Sequence, residues 1–400
     1  MKREINAFSG YAFGLLVLLT LVLSHRSAAA PRTATRAVTQ QSFFSFLPKH
    51  VEPVAISPDE RFLLVMDATV AGLWDLKTKQ PAKFWPDDVV VSMSLSFKPP
   101  AMWAFSRDGH FLAAFAQKKS DLRETDILTF DLRLQKMTIL QSPELKKSFP
   151  VFAVPTDVDN LGNMALVNND VVEEGDVYGG SRTYVTKAAI FHPATGAIVP
   201  VQSGTMAFDT LRFSPDGTSV VAGVGEGYYY FDYLQLVVWD ARTGKKRAMQ
   251  KQLLNSNTRP DGFSRDGKNL WATTRRFHDE KQSVTRAFSP QTLVPRALPE
   301  FKGVTVQGFS NDDIIVALVY EPEGLGKVIS NSAKPIPFWQ NYLVIDARNG
   351  HVLRHARLQA QELKYFIDTW RFVGFVESGK RAAFWSQAQR RLAFIDTSRP

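Results

Sequence analysis

The chain of 400 residues reads as an all-β protein, a single seven-bladed β-propeller of four-stranded antiparallel blades, closed by pairing of its N- and C-terminal strands. Two interleaved turn signatures and their near-even spacing predict this. The first is an apolar strand running into a Pro-Asp-Gly type turn and straight out into another apolar strand. It stands at Ala55–Glu60 (AISPDE), Ala104–Gly109 (AFSRDG), Arg212–Gly217 (RFSPDG), Gly262–Gly267 (GFSRDG) and Gly308–Asp313 (GFSNDD), with weaker copies at Val158–Gly162 and Phe375–Gly379. Marked at Asp59, Asp108, Asp159, Asp216, Asp266, Asp312 and Glu377, the copies lie 49, 51, 57, 50, 46 and 65 residues apart. The second signature is a β-branched or aromatic run ending in an acidic turn: Gly72–Gln80, Leu128–Lys136, Val237–Lys245 and Leu343–His351, with variants at Ile190–Ala197, Ala287–Val294 and Ala393–Pro400.

Each signature has a local cause. Proline presets φ at the second position of a tight turn, Asp accepts from nearby backbone N–H groups, and Gly takes φ > 0. The flanks, such as Leu211, Phe213, Val220 and Val221, have strand composition. Each unit therefore reads as strand, tight turn, strand, variable loop, strand, tight turn, strand. One such sheet cannot bury both its faces alone, so the units must stack, and stacking them around an axis leaves few open edges. The last unit ends four residues past Asp396 and lacks an outermost strand; the apolar segment Phe43–Leu47 is expected to supply it.

Composition sets limits. Hydrophobic residues are 44% of the chain and Phe supplies 29 positions, enough for a sizeable core. With no Cys, disulfides, thiolate metal sites and Cys nucleophiles are excluded. Residues 1–30 have the form of an export signal: Lys2 and Arg3, an apolar run from Ala12 to Leu23, then Ser27 to Ala30 for cleavage after Ala29 or Ala30. An uncleaved anchor is the rival, but the run is short for a hydrocarbon core of ~30 Å. The domain reading is thus signal peptide 1–30, flexible leader 31–42 and propeller 43–400, in an exported, periplasmic or extracellular protein. Removing Lys2, Arg3, Arg26 and Glu4 takes the net charge from +9 to +7.

The signatures resemble the WD-repeat and WD-like propeller families over essentially all of residues 43–400. The Trp74–Asp75 and Trp239–Asp240 pairs and the Ser214–Gly217 turn carry the likeness. The Gly-His pair that WD repeats place before a blade is missing, since Gly109–His110 and Gly350–His351 fall in turns. The resemblance implies the fold and is closer to exported bacterial WD-like propellers than to an intracellular scaffold.

Function is expected on the face of the connections between second and third strands. Five of these read as long: Lys118–Asp126, Asn169–Arg182, Glu226–Tyr233, Arg275–Ser283 and Glu321–Gln340. Loops on a rigid scaffold commonly carry binding groups, although tolerated insertions are the plain alternative. The candidate ligand-binding residues there are Glu173, Glu174, Tyr178, Glu226, Tyr228, Tyr229, Arg275, His278, Glu321 and Trp339. Tyr combines apolar area with a polar tip suited to a sugar, peptide or aromatic ligand.

Catalytic patterns are sparse. There is no HExxH motif, His351 and His355 do not make a tight chelate, and Asp157, Asp159 and Gly162 only partly mimic a calcium loop. The glycines at Gly223, Gly225 and Gly227 lack a strand–helix context, and there is no nucleophile elbow. The basic residues are dispersed and no nucleic-acid module is present. The leading expectation is a non-enzymatic binding or scaffold propeller that takes a protein, peptide or glycan. It has no catalytic residue, metal or cofactor, no nucleic-acid partner, and no membrane span once the signal is removed. A propeller hydrolase, lyase or cofactor-dependent oxidoreductase at the channel mouth, or an envelope-assembly role, are the alternatives.

Overall fold

The computed structural model describes residues 35–36, 38–40, 44–67, 70–86, 89–90, 103–118, 121–140, 145, 147, 153–174, 181–201, 207–208, 210–225, 234–250, 256–276, 279–319, 336–363, 366–368, 370–387 and 389–398. The signal reading of residues 1–30 lies outside them. Among them no helix is long and apolar enough to cross a membrane.

The recurring turn is built by its serine as much as by its Asp. In blade 1, Ser57 Oγ donates to Asp59 Oδ1 at 2.5 Å and accepts from Phe62 N at 2.8 Å, while Glu60 N donates to Ser57 O at 2.8 Å. Ser106, Ser214 and Ser264 repeat the arrangement with Asp108, Asp216 and Asp266. In blade 3, Asp159 takes the serine position, its Oδ1 accepting from Leu161 N and Asn163 N at 2.8 Å each. The second signature works through its Asp: Asp75 Oδ1 accepts from Lys77 N and Thr78 N, Asp131 and Asp240 do the same two and three positions on, and Asp346 Oδ1 accepts from the backbone N and the Nε of Arg348. A carboxylate satisfying two turn N–H groups makes each reversal self-sufficient.

Seven sheets result. Blade 1 is Val51–Ile56, Phe62–Asp67, Val70–Asp75 and Gln80–Pro81, each strand antiparallel to the next. The innermost strands of blades 2 to 7 are Trp103–Phe105, Val154–Val158, Arg212–Phe213, Ser256–Phe263, Val304–Phe309 and Trp370–Val376. The core is the stack of apolar faces between blades, for example Leu64, Phe62 and Leu73 against Leu112, Leu128 and Phe130.

Two expectations need correction. Phe44–Leu47 is a tight turn, closed by Leu47 N donating to Phe44 O, and does not complete the last blade. Val38–Gln40, within the segment read as leader, pairs antiparallel with Arg391–Asp396 instead, Val38 opposite Phe394. Burial decides this. Phe44 and Phe46 pack in the cluster of Val51, Val373 and Trp385, where aromatic area is removed from water that an outer edge would leave exposed.

The long connections are also largely strand. Met164–Glu174 and Ser181–His192 pair as far as Glu174 opposite Ser181, so Asn169–Arg182 is mostly a projecting hairpin. Lys118 pairs with Asp121 and Arg276 with Asp279, which reduces two more of the five to tight reversals. The β-branched Val171, Val172, Thr183 and Val185 favour extended backbone, and pairing of the two strands satisfies their backbone groups. Glu226–Tyr233 lies outside the described residues, and of Glu321–Gln340 only 336–340 is described, as strand.

Blades are also tied by hydrogen bonds. The fully buried Trp271 of blade 5 donates its Nε1 to Ala347 O of blade 6 at 2.8 Å. Trp271→Phe leaves that carbonyl the longer bond from Asn269 Nδ2, at 3.4 Å, and is expected to cost about 1 kcal/mol in urea unfolding. An unchanged midpoint would show that the bond contributes nothing to stability.

Candidate functional site

All seven innermost strands face one central cavity of about 1080 Å³. Its walls are shaped by a repeated irregularity. In blades 1, 3, 5, 6 and 7 the pairing of first with second strand slips by one residue, at Val54, Thr156, Asp261, Gln307 and Val373. Such a bulge re-aims a side chain. The residue after it is small in four of these blades (Ala55, Gly262, Gly308 and Gly374), and the next blade's aromatic or branched side chain closes over the glycines. Blade 3 has Asp157 there, and at the matching position two residues before the turn serine blade 4 has Arg212.

These departures charge the channel. Asp157 Oδ2 accepts from Phe213 N of blade 4 at 2.7 Å and Oδ1 from Val158 N at 3.0 Å. Burial pushes its carboxyl up to about 6, against the pull of Arg212 and the two N–H donors. Asp261 accepts from Thr273 Oγ1 at 2.6 Å, and burial raises it to about 7 despite that bond and the nearby Arg212, Arg275 and Arg259. Arg275 reaches from the second strand of blade 5 to Thr305 Oγ1 of blade 6 at 3.4 Å. On the opposite wall Arg371 donates to Pro53 O at 2.6 Å, and burial lowers its guanidinium pKa.

At the turn end the axis is bridged. Arg107 of blade 2 reaches the carbonyls of Phe263 and Ser264 in blade 5, at 3.5 Å each. Asn311 of blade 6 donates to Arg107 O at 2.6 Å, and Asp108 N donates to Asn160 Oδ1 of blade 3 at 3.1 Å. In a ring of seven, blades 5 and 6 are the ones opposite blade 2. One turn thus spans the channel, and burial lowers the Arg107 pKa.

Of the ten residues anticipated from the sequence, Arg275 lines this cavity. Glu173 and Glu174 stand opposite Arg182 and Ser181 at the tip of the blade 3 hairpin, with side chains outside the described residues. Trp339 lies in the blade 6 strand Ile336–Asp346 and is 50% exposed. Tyr178, Glu226, Tyr228, Tyr229, His278 and Glu321 fall outside the described residues. Asp157, Asp261, Arg212, Arg259, Arg107 and Arg371 were not anticipated. Aligning the units on the turn serine would have exposed Asp157 and Arg212 as charges at a place where the other blades carry Ala or Gly.

The class is therefore a seven-bladed β-propeller with a charged central channel. No protein-family model and no curated protein matches the chain in sequence. Solved structures match its fold. A manganese complex of oligogalacturonate lyase superposes with a TM-score of 0.53 at 11% identity, covering 90% of this chain and 96% of that one. The oligogalacturonate lyase of Vibrio parahaemolyticus gives 0.51 at 12%, covering 92% and 99%. The Myceliophteria thermophila Cps50 (Swd1) β-propeller domain gives 0.50 at 13%, covering 90% and 100%. At these identities the likeness is one of fold alone.

Proposed function

We propose that the chain is an exported, non-enzymatic binding propeller that takes its ligand, a glycan or a peptide, into the central channel from the hairpin face. The observation that carries this reading is the convergence of Arg212, Arg259, Arg275, Asp157 and Asp261 on one cavity of about 1080 Å³. Concave sites of this order, with a few converging polar groups, suit small ligands. The bridge made by Arg107 and Asn311 favours entry from the other end. Export rests on the form of residues 1–30.

A ligand that binds only the folded state raises its apparent stability. Screening the full chain against glycans and peptides is expected to give a rise in unfolding temperature that Arg275→Ala removes. A shift that Arg275→Ala leaves intact would move the site off the channel, and a stable protein partner captured with no small-ligand shift would favour a scaffold instead. A second reading, an enzyme acting in the channel, is favoured by Asp157 and Asp261, whose near-neutral titration suits proton transfer.

A further inference from the structure

Blades 4 and 5 present three guanidinium groups to the same part of the channel. Arg212 comes from the innermost strand of blade 4, Arg259 from that of blade 5, and Arg275 from the second strand of blade 5. Two carboxyls are set into this wall. Asp261 faces Arg259 on its own strand, Thr273 and Arg275 on the second strand, and Arg212 on the neighbouring blade. Asp157 faces Arg212 and the Phe213 N–H of blade 4, its own neighbour Asp159, and Arg107 from blade 2. Three cations against two acids leave an excess of one positive charge when both acids are ionised, and of three when both are protonated. Guanidinium groups are planar donors that grip carboxylate and phosphate through paired hydrogen bonds. The Nε of Arg212 is buried and has no hydrogen-bond partner among the described residues.

We propose that the Arg212–Arg259–Arg275 wall seats an anionic group of the ligand, a carboxylate or a phosphate, and that Asp157 and Asp261 take up protons from solvent as it settles. This rests on the channel being the ligand site. The coupling is electrostatic. An anion at the wall cancels the positive field that favours the ionised aspartates and adds like charge beside them, so both acids hold protons more tightly in the complex. By linkage, affinity then falls as pH rises from 6 to 8, because fewer of the protonated acids the complex prefers are present beforehand.

Calorimetric titration of the full chain tests both halves, with citrate and inorganic phosphate as anionic probes and maltotriose as an uncharged one. Citrate or phosphate is expected to bind, the stronger of the two showing which chemistry the wall prefers. Apparent enthalpies in two buffers of different ionisation enthalpy are expected to reveal net proton uptake at pH 7. Arg259→Gln is expected to weaken binding about tenfold, and Asp261→Asn to reduce the proton uptake and flatten the pH dependence. Stabilisation by maltotriose with neither anion binding would overturn the anion seat and leave the channel reading standing. Silence from all three probes, with a protein partner held elsewhere, would remove both. Anion binding unaffected in Arg259→Gln and Arg275→Gln variants that still unfold cooperatively overturns the seat, and binding without proton exchange overturns the coupling.

Discussion

Gly308→Ala is expected to lower the urea midpoint sharply, by the equivalent of about 3 kcal/mol, at the upper end of what overpacking costs. A Cβ built on Gly308 falls 2.3 Å from Cε1 and Cζ of Phe372 in the next blade. The ring borders the channel on one side, and on the other its shift is limited by neighbouring rings. Phe372 is edge-on to Phe375 at 5.2 Å and to Phe384 at 5.6 Å. Backbone φ at Gly308 is not positive, so the cost is steric and not conformational. Phe372→Leu, which makes room for the methyl, should therefore recover part of the loss when combined with Gly308→Ala. A double-mutant cycle with no coupling between the two would mean that the blades separate instead of clashing.

Asp261→Asn is expected to stabilise the protein at pH 8 and to leave it little changed near pH 4. The folded carboxyl titrates at about 7 against an ordinary 3.8. Between those values the native state holds a proton that the unfolded chain has released, so stability falls as pH rises through this window and stays low above it. Asn removes the titration and keeps an acceptor for Thr273. A change of this size is worth on the order of 4 kcal/mol at full ionisation, at about 1.4 kcal/mol per pKa unit. Asp157, raised to about 6, contributes in the same direction over a narrower range. Urea unfolding of both proteins at pH 4, 6 and 8 checks this. Parallel profiles for the two would show that Asp261 titrates near its ordinary value and that its surroundings are wetter than its packing implies.

The two turn signatures were readable because their chemistry is contained within a few residues. Asp75 and Asp240 satisfy N–H groups two and three positions on, and Ser57 and Asp59 close a loop on themselves. The role of the serine is just as local, yet strand-and-turn propensity gives it no weight. The projecting hairpins were harder to read. Polar residues such as Asn169, Asp170 and Glu173 resemble loop composition, and only pairing with the opposite strand makes them extended. The aromatic content of Phe43–Leu47 suggested an edge strand, whereas the gap between blades 7 and 1 offered Phe44 better burial.

The channel was the least legible part, for a geometric reason. Asp157, Arg212 and Asp261 are separated by about fifty residues each and meet only because successive innermost strands converge on one axis. Arg107 and Asn311 lie 204 residues apart and touch across it. Local order was sufficient for the count of seven units, the strand content and the character of every turn, since short-range hydrogen bonds and φ preferences specify them. The stacking of the ring alone settles which side chains share a cavity, which glycines must remain glycine and which carboxyls hold protons near neutrality. Those properties depend on desolvation and on contacts between blades, and neither exists until the sheets have packed.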